Sequence, residues 1–588
     1  MREGDKMKLL LVAINAKYIH SNLAIYSLRA YAKEYQANIK LAEYTINHST
    51  ENIIKEIYKE KADIIAFSCY IWNFSIVTQV AKEIKKVLPK AKIWYGGPEV
   101  SYDSKECLET YTVVDGIMIG EGEQTFLELI SYYADQKGEL EQIQGLAFKE
   151  SAKLLKSDLC LVNSITLTPS RQPLDLDTIP FPYDNLELFD KKIIYYESSR
   201  GCPYSCSYCL SSIDRSMRIR SSQLVIKELQ LFLNHKIPQV KFVDRTFNCN
   251  KKHAMDIWQF IKDNDNGITN FHFEISADIL SEEELLLLAT LRPGQIQFEI
   301  GVQSTNLHTI DSIHRKMDFD KLAYIVRRIE EGKNIHQHLD LIVGLPYEDF
   351  NSFGKSFNDV YALRPDQLQM GFLKVLKGSR MEKESEEFGI VYQSRPPYEV
   401  LFTNWISYEE ILLLKEVCEM IEIYYNSGQF NYAITYLEHF YDTPIQLYSE
   451  LSLYYETKQL DQLAHSRIRR YEILLDFYIE KVIESNKINK LDEIAVFEEL
   501  LVLDLYLRED MKSRPKFAKS QMEYKKIFRE FYEVSQEDRT STHLEHFNFD
   551  VIISAQTGQA VKKEQLLLFD YSNRDPLSKA AKTTEYEQ

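Results

Sequence analysis

Short apolar runs alternate with helical patterns over the first 150 residues of the chain. The candidate strands are Lys8–Ile14, Asn38–Tyr44, Ile64–Ser68, Lys92–Tyr95 and Gly116–Ile119. Between them apolar residues recur with a helical period, as in Leu23–Ala32, Glu51–Glu60 and Ile76–Val87. Short apolar strands separated by helices are typical of a parallel, doubly wound sheet. The pattern predicts a Rossmann-like α/β domain over residues 7–170.

A proline-containing stretch, residues 171–190, follows and is interpreted as a linker. A second alternating block begins near Lys191. Its candidate strands are Lys192–Ser198, Gln239–Val243, Asn270–Ile275, Gln295–Ile300, His338–Val343 and Gln367–Val375. Each strand is followed by room for a helix, so residues 191–395 are predicted to form a partial (β/α)6 barrel, similar to a TIM barrel. In such barrels the chemistry lies at the C-terminal ends of the strands.

The pattern changes again near Pro396, where glycine becomes scarce and tyrosine, leucine, glutamate and lysine dominate. Segments such as Tyr408–Tyr425 and Ser466–Ser485 have long helical periodicity. We therefore expect an all-helical C-terminal domain over residues 396–570. The polar end, residues 571–588, is expected to be disordered.

Composition narrows the classes of function. The formal net charge is −18 over 588 residues, which disfavours tight binding to nucleic acid or to an anionic membrane. No apolar run approaches the roughly 20 residues that a membrane span needs, and no signal peptide is recognisable. The chain is therefore expected to be cytoplasmic, without a membrane partner. Eight cysteines are too few for a disulfide scaffold in a chain of this length.

Three of these cysteines lie within eight residues. Residues 198–209 have the sequence SSRGCPYSCSYC, so Cys202, Cys206 and Cys209 have the spacing C-x3-C-x2-C. Three thiolates on one loop can ligate three irons of a four-iron cluster and leave the fourth iron open. A structural zinc site would need a fourth ligand, and no Cys or His follows until His235. The spacing therefore predicts an iron–sulfur site.

This spacing, with an aromatic residue at Tyr208, resembles the radical S-adenosylmethionine (SAM) superfamily over about Tyr195–Lys377. The resemblance implies a [4Fe-4S] cluster whose open iron binds the amino and carboxylate groups of SAM. Reduction of the cluster then cleaves SAM to a 5′-deoxyadenosyl radical, which abstracts a hydrogen atom from a substrate. Tyr208 is implied to lie in the SAM site.

The ends of later strands extend the resemblance, which is to radical SAM enzymes of the coproporphyrinogen-dehydrogenase type. Glu274 matches a residue that contacts the SAM amino group, and Gln303 and Asp340 match residues that contact the ribose. Arg315 lies at the spacing of an arginine near the SAM carboxylate. Carboxylate and amide acceptors suit an ammonium group and ribose hydroxyls, and a guanidinium suits a carboxylate.

The N-terminal block resembles the cobalamin-binding domain of one radical SAM subclass. The matches are Phe67-Ser68, Tyr95-Gly96-Gly97-Pro98-Glu99 and Gly120-Glu121-Gly122-Glu123, each after a predicted strand. The resemblance implies that Ser68 donates a hydrogen bond to the corrin and that Gly96 and Gly97 allow a close approach of the nucleotide tail. The Asp-x-His-x-x-Gly motif that supplies a cobalt ligand in many cobalamin domains is absent. His20 is interpreted as a loop residue, with a ligand role left open.

These features predict a radical SAM enzyme with a [4Fe-4S] cluster, SAM and cobalamin. Methyl transfer or a related rearrangement is the expected reaction, on an unidentified small-molecule or peptide substrate, with flavodoxin or ferredoxin as an electron donor. A methylthiotransferase-like enzyme is an alternative, because Cys69, Cys107 and Cys160 could hold a second cluster. A non-catalytic iron–sulfur or cobalamin sensor is another.

Overall fold

The computed structural model describes residues 7–150, 164–484, 490–535 and 537–586. Cys160, one of the cysteines of the methylthiotransferase alternative, lies outside the described residues. The chain forms two compact units. The first comprises Met1–Glu299, Asp311–Asp318 and Phe372–Thr403, and the second comprises Ile300–Ile310, Phe319–Gly371 and Asn404–Gln588.

The first unit begins with a seven-stranded sheet of order β2-β1-β3-β4-β5-β6-β7. Its strands are β1 (Leu9–Asn15), β2 (Ile39–Thr45), β3 (Ile64–Ser68), β4 (Lys92–Gly96), β5 (Gly116–Met118), β6 (Leu146–Lys149) and β7 (Ile165–Leu167). Strands β1 to β5 are parallel, whereas β6 and β7 are added antiparallel at one edge. The doubly wound prediction is confirmed. The strand order reverses between β1 and β3, and ligands of such sheets bind beyond the carboxyl ends of the strands at that point.

Helices cover both faces of this sheet. Their bounds are Leu23–Tyr31, Thr50–Glu60, Phe74–Val87, Pro98–Ser101, Ser104–Thr110 and Glu123–Asp135. The Asn22 side chain caps the first of these helices by accepting a hydrogen bond from Ile25 N, and Ser49 caps the second in the same way. The central strands β1 and β3 are buried along their whole length, and two separate apolar clusters form, one on each face of the sheet.

Residues 171–190 contain 3-10 turns at Leu176–Thr178 and Leu186–Phe189. Leu176, Leu186 and Phe189 are buried, so this stretch packs against the fold and is not a loose linker. The prolines are consistent with a stretch that has no long helix or strand. Its buried apolar residues hold it against the rest of the fold.

The next block contains a strand at each of the six predicted places. In chain order the strands are β8 (Ile194–Tyr196), β9 (Ser199–Arg200), β10 (Arg218–Ile219), β11 (Gln239–Phe242), β12 (Asn270–Ile275), β13 (Ile296–Gln303), β14 (Ile335–Val343) and β15 (Gln367–Phe372). The helices between them are Ser222–Asn234, Lys251–Asp263, Glu282–Leu288, Leu307–Ser312, Phe319–Gly332 and Phe350–Tyr361. In the first unit β8, β11 and β12 lie side by side and parallel, while β9 and β10 form a short antiparallel pair. The helix Arg380–Glu384 and the antiparallel pair β16 (Val391–Tyr392) and β17 (Val400–Phe402) complete this unit.

The C-terminal part of the second unit is mainly helical, as expected. Its helices are Tyr408–Ile421, Asn431–Glu438, Pro444–Thr457, Arg467–Phe477, Lys490–Arg508, Lys525–Ser535 and Val551–Thr557, with π-helical turns at Glu422–Asn426 and Tyr478–Ile483. The first begins with a capping box formed by Ser407 and Glu410.

Two expectations for this region are wrong. It is not all-helical, because a three-stranded antiparallel sheet follows the helices, with β18 (Thr542–Phe549), β19 (Lys562–Arg574) and β20 (Ala581–Tyr586). The tail is not disordered over residues 571–586, because β20 pairs with β19. In β20 only Ala581 is buried, so the sequence of the tail is polar and resembles a disordered one.

In the part of the chain that the structure describes, no helix combines the length and apolar character needed to cross a membrane.

Candidate functional site

The cysteine loop, residues 201–217, is the excursion between β9 and β10. Arg200 pairs with Arg218 at its base, and Cys202 N donates a hydrogen bond to the Asp214 carbonyl at 3.1 Å. Gly201 has a φ of +87°, and a Cβ there would lie 2.4 Å from the Ser216 carbonyl oxygen. The two ends of the loop therefore meet so closely that only glycine fits at its entry.

The three predicted cluster ligands lie together on this loop. Cys202 and Cys206 are buried, and Cys209 is half-buried. The middle of the loop is anchored by its backbone, since Ser207 N donates to the Ile313 carbonyl and the Ser207 carbonyl accepts from Met381 N. Among the described residues, no three His, Cys, Asp or Glu side chains already stand in metal-binding geometry.

Arg315 is brought to the cysteine loop from a distant part of the sequence. Its Nη1 lies 3.9 Å from Cys206 Sγ and 3.4 Å from the Tyr208 hydroxyl. Burial raises the pKa of the Cys206 thiol, and the Arg315 charge opposes that shift. Three thiols beside a guanidinium form a donor set that fits an anionic iron–sulfur cluster. A contact of Arg315 or Tyr208 with SAM stays a prediction.

A buried polar network under the loop was missed by sequence reasoning. Asp244, which follows β11, accepts hydrogen bonds from Ser198 N at 3.0 Å, Ser198 Oγ at 2.7 Å and Ser199 Oγ at 2.5 Å. Ser198 Oγ also lies 3.0 Å from His253 Nε2. Burial raises the pKa of Asp244 to about 6, against these hydrogen bonds. The only signal in the sequence was Ser198-Ser199 directly before the loop. Arg245, the next residue, is exposed.

The strands of the first unit present a second group of charges on one face. Lys241 Nζ lies 2.8 Å from Glu299 Oε2, and His272 Nε2 lies 3.0 Å from the same oxygen. Lys241 and His272 are register partners in β11 and β12. Glu274, half-buried near the end of β12, follows His272 by two residues and therefore points to the same face. This face is polar, whereas the opposite face, with Phe242 and Phe273, is fully buried.

His20 takes part in the same region. Its Nδ1 lies 2.7 Å from the hydroxyl of Tyr195 in β8, and His20 and Ile193 form an isolated bridge. Burial lowers the pKa of His20, which favours the neutral ring. The loop after β1 is thus attached to β8 through His20. This contact is compatible with the interpretation of His20 as a loop residue.

Gln303 and Asp340 lie in the second unit. Gln303 ends β13 with a φ of +75°, and its buried Oε1 has no hydrogen-bond partner among the described residues. An acceptor of this kind fits a hydroxyl group of a ligand. Asp340 Oδ1 in β14 lies 3.0 Å from His338 Nε2. Their contacts with SAM stay predictions.

The cobalamin residues predicted from the motifs lie at the carboxyl ends of β3 and β4. Ser68 Oγ accepts a hydrogen bond from Asn22 Nδ2 at 3.3 Å, so Ser68 and Asn22 meet where the strand order reverses. Gly97 has a φ of +120°, and a Cβ there would lie 2.4 Å from the Cys69 carbonyl oxygen. Packing within the loops therefore already requires glycine at 97. A cobalamin contact of Ser68, Gly96 or Gly97 stays a prediction.

The cysteines of the methylthiotransferase alternative are poorly placed to bind metal. Cys69 and Cys107 are buried in the apolar cluster on one face of the first sheet. Burial raises the pKa of the Cys69 thiol well above its usual value and raises that of Cys107 to about 12. Both thiols are thus kept protonated in apolar surroundings.

Three family profiles match successive parts of the chain. They are described as "B12 binding domain" over residues 9–130, "Radical SAM superfamily" over residues 196–360 and "Protein of unknown function (DUF4080)" over residues 386–569. The middle match spans the cysteine loop. The chain thus contains a radical SAM domain, and the cysteine loop lies within it.

More particularly, the chain combines this domain with a cobalamin-binding domain before it and a C-terminal domain of unknown function after it. The cofactors that these domains imply are a [4Fe-4S] cluster, SAM and cobalamin. The predicted family, fold class and cofactors are confirmed at this level.

Two relatives are similar to this chain in sequence, and one solved structure is similar in fold. Cobalamin-dependent radical SAM methyltransferase TokK of Streptomyces tokunonensis is 26% identical over 322 residues, covering 50% of this chain and 44% of TokK. Uncharacterized methyltransferase PH0819 of Pyrococcus horikoshii is 27% identical over 352 residues, covering 58% and 72%. The chain thus spans less than half the length of TokK. The radical SAM enzyme OxsB with aqua-cobalamin bound has the same fold, with a TM-score of 0.58 and 16% identity over 85% of this chain and 80% of OxsB.

Proposed function

We propose that this protein is a radical SAM enzyme that transfers a methyl group, with cobalamin, to a small-molecule substrate. The observation that carries the proposal is the cysteine loop beside Arg315, in the same compact unit as the cobalamin-binding domain. Relatives named as cobalamin-dependent radical SAM methyltransferases support the reaction class. When bound, the cluster supplies the electron that cleaves SAM, and cobalamin supplies the methyl group.

The residues of this chain would hold and surround these groups. Cys202, Cys206 and Cys209 would each bind one iron through a thiolate. Arg315 would offset the negative charge that accumulates at the cysteine loop, because its guanidinium is 3.9 Å from Cys206 Sγ. Glu274 would accept hydrogen bonds from an ammonium group at the end of β12.

The polar face of the barrel strands would contact the substrate. Lys241, His272 and Glu299 form a charged group on the face that also carries Glu274. Side chains of this kind orient a hydrogen-bonding substrate better than a purely apolar one. An external one-electron donor, such as flavodoxin or ferredoxin, would supply the reductant as the partner protein.

The test begins with the cluster. Cys206→Ala should remove it, because each cysteine holds one iron, whereas Cys418→Ala changes a half-buried thiol in the second unit and should leave the iron content unchanged. Iron per chain and the visible spectrum are measured after anaerobic reconstitution. A full four-iron spectrum in Cys206→Ala would refute the assignment.

Product analysis then tests the reaction. Reduced enzyme with SAM and cobalamin should form 5′-deoxyadenosine, which reports radical cleavage, and S-adenosylhomocysteine, which reports methyl donation. Absence of SAM cleavage by a fully reconstituted protein would favour the sensor alternative.

The methylthiotransferase alternative makes a different prediction about iron. It requires about eight irons per chain, and mutation of Cys69 should remove four of them. Our proposal expects Cys69→Ala to keep all the iron of the wild type, because this thiol lies in an apolar core with a strongly raised pKa.

A further inference from the structure

Two arginines at the base of the cysteine loop bind two glutamates of the cobalamin-binding domain. Arg200 and Arg218 are register partners in β9 and β10, so their side chains stand next to each other. Glu121 and Glu123 follow β5 in the sequence Gly120-Glu121-Gly122-Glu123. All four residues belong to the first unit.

The contacts are bidentate. Arg200 Nη2 lies 2.5 Å from Glu123 Oε1 and its Nη1 lies 3.2 Å from Glu123 Oε2. Arg218 binds both carboxylate oxygens of Glu121, with Nη1 at 3.2 Å from Oε2. Arg200 Nη1 is also 3.2 Å from Glu121 Oε2, so the two pairs are joined into one network. A bidentate contact fixes the relative orientation of the guanidinium and the carboxylate as well as the distance between them.

The network is largely shielded from water. The exposed fractions of the side chains are 6% for Glu123, 16% for Arg200, 18% for Arg218 and 22% for Glu121. Burial acts to raise the pKa of Glu123, but the Arg200 charge together with hydrogen bonds from Arg200 and Ser27 lowers the pKa overall, so the carboxylate stays ionised. Screening by salt is weak for charges held in this way.

The network is connected to Cys202 through the backbone of the cysteine loop. Arg200 lies two residues before Cys202. Arg218 Nη2 lies 3.1 Å from the Asp214 carboxylate, and the carbonyl of Asp214 accepts the hydrogen bond from Cys202 N. A displacement of either arginine would therefore move the backbone that presents Cys202.

We infer that Arg200, Arg218, Glu121 and Glu123 form a clamp that holds the cysteine loop in place against the cobalamin-binding domain. The clamp residues are positioning residues, because they act on the ligands through the backbone. The roles of the loop and the domain in holding cofactors rest on the proposed function. The clamp itself is a property of the protein without cofactors.

The first test uses the iron-free chain. Trypsin cleavage after Arg215, which is exposed within the cysteine loop, reports local opening. Glu121→Gln should raise the rate of this cleavage about tenfold or more, because it leaves Arg218 without its main partner. The matched control is Glu128→Gln, which breaks a bidentate pair with Arg171 elsewhere in the same domain. The control should leave cleavage after Arg215 unchanged.

The second test uses the reconstituted protein. Glu121→Gln should lose most of its iron on anaerobic gel filtration while it keeps its cobalamin, whereas Glu128→Gln should keep both. Glu121→Asp, which keeps a carboxylate beside Arg200 and Arg218, should retain at least half of the iron and most of the protection from trypsin. Retention of this kind separates loss of the ion pairs from a general loss of folding.

Equal cleavage after Arg215 in Glu121→Gln and in the wild type would overturn the clamp, and so would equal acceleration in both glutamine variants. If Glu121→Gln fails to fold, Arg218→Lys decides: it keeps the charge but loses the bidentate contact with Glu121, so it should fold and be cleaved faster after Arg215 than the wild type, and an unchanged rate would overturn the inference. A wild type that binds no iron would refute the proposed function and leave the trypsin result valid.

Discussion

Replacement of Gly201 by alanine probes the entry to the cysteine loop with a single added carbon. The backbone there has a φ of +87°, and the new Cβ would lie 2.4 Å from the Ser216 carbonyl oxygen and 3.2 Å from the Asp214 carbonyl oxygen. Both neighbours are backbone atoms of the returning end of the loop, so no flexible side chain can move aside.

The free-energy cost of Gly201→Ala has two parts. An alanine held in the left-handed region costs about 1–2 kcal/mol. Forcing a methyl group into a packed site costs about 1–3 kcal/mol more. Gly267 offers a matched control, because its φ is +73° and a Cβ there would meet no atom within 4 Å. Gly267→Ala should therefore show the first cost alone, and Gly201→Ala should show both.

The close contact alone, at about 1–3 kcal/mol, corresponds to about a 5- to 150-fold shift in the equilibrium between the closed and the open loop. Gly267 lies outside the loop, so the cost of Gly267→Ala does not enter this equilibrium. The rate of trypsin cleavage after Arg215 in the iron-free chain measures this shift, and iron retained after reconstitution measures its consequence. We expect Gly201→Ala to be cleaved faster and to lose iron, with Gly267→Ala close to wild type in both. Equal behaviour of the two variants would show that the close approach at Gly201 carries no energetic weight.

The remaining predictions concern buried carboxyl groups. Burial raises the pKa of Asp504 from 3.8 to about 7, so the folded chain holds an extra proton between about pH 4 and pH 7 and loses stability as the pH rises through that window. Asp504→Asn should flatten the dependence of the unfolding free energy on pH, measured by urea unfolding of the iron-free chain. An unchanged pH dependence would contradict the raised pKa of Asp504. Tyr398→Phe should lower the thermal midpoint through a loss of about 1–3 kcal/mol, because the buried Glu99 carboxylate loses the hydroxyl donor at 2.5 Å. Tyr408→Phe, at an exposed tyrosine, is its control, and an equal effect of both changes would contradict the prediction.

The strands that could be predicted from sequence are those buried on both faces. Every residue of β3 is buried, and the apolar run Ile64–Ser68 gives its bounds directly. Strands β6, β7 and β20 were missed because β6 has only 4 residues, β7 has no buried residue and β20 has one buried residue. In β19 the buried residues form one run of five flanked by charged and polar positions, which resembles a loop.

In the candidate site, residues that are close in sequence could be predicted to act together, whereas residues that are far apart in sequence could not. The three cysteines are close in sequence, so their spacing alone predicts a shared metal site. The partners that shape the loop are not: Asp244 is 46 residues from Ser198, and Arg315 is 109 residues from Cys206. Charged residues at strand ends have many possible partners, and only the folded chain selects among them.

Two residues in the motifs of the cobalamin-binding domain have a structural role within the protein. Glycine at 97 suits a close ligand, but the Cys69 carbonyl oxygen already leaves no room for a side chain there. Glutamate at 121 suits a ligand loop, but its carboxylate binds Arg218 at the base of the cysteine loop. Both residue types are therefore explained by contacts within the protein. Ser68 and Asn22, whose side chains meet where the strand order reverses, are the better positions at which to test binding of cobalamin.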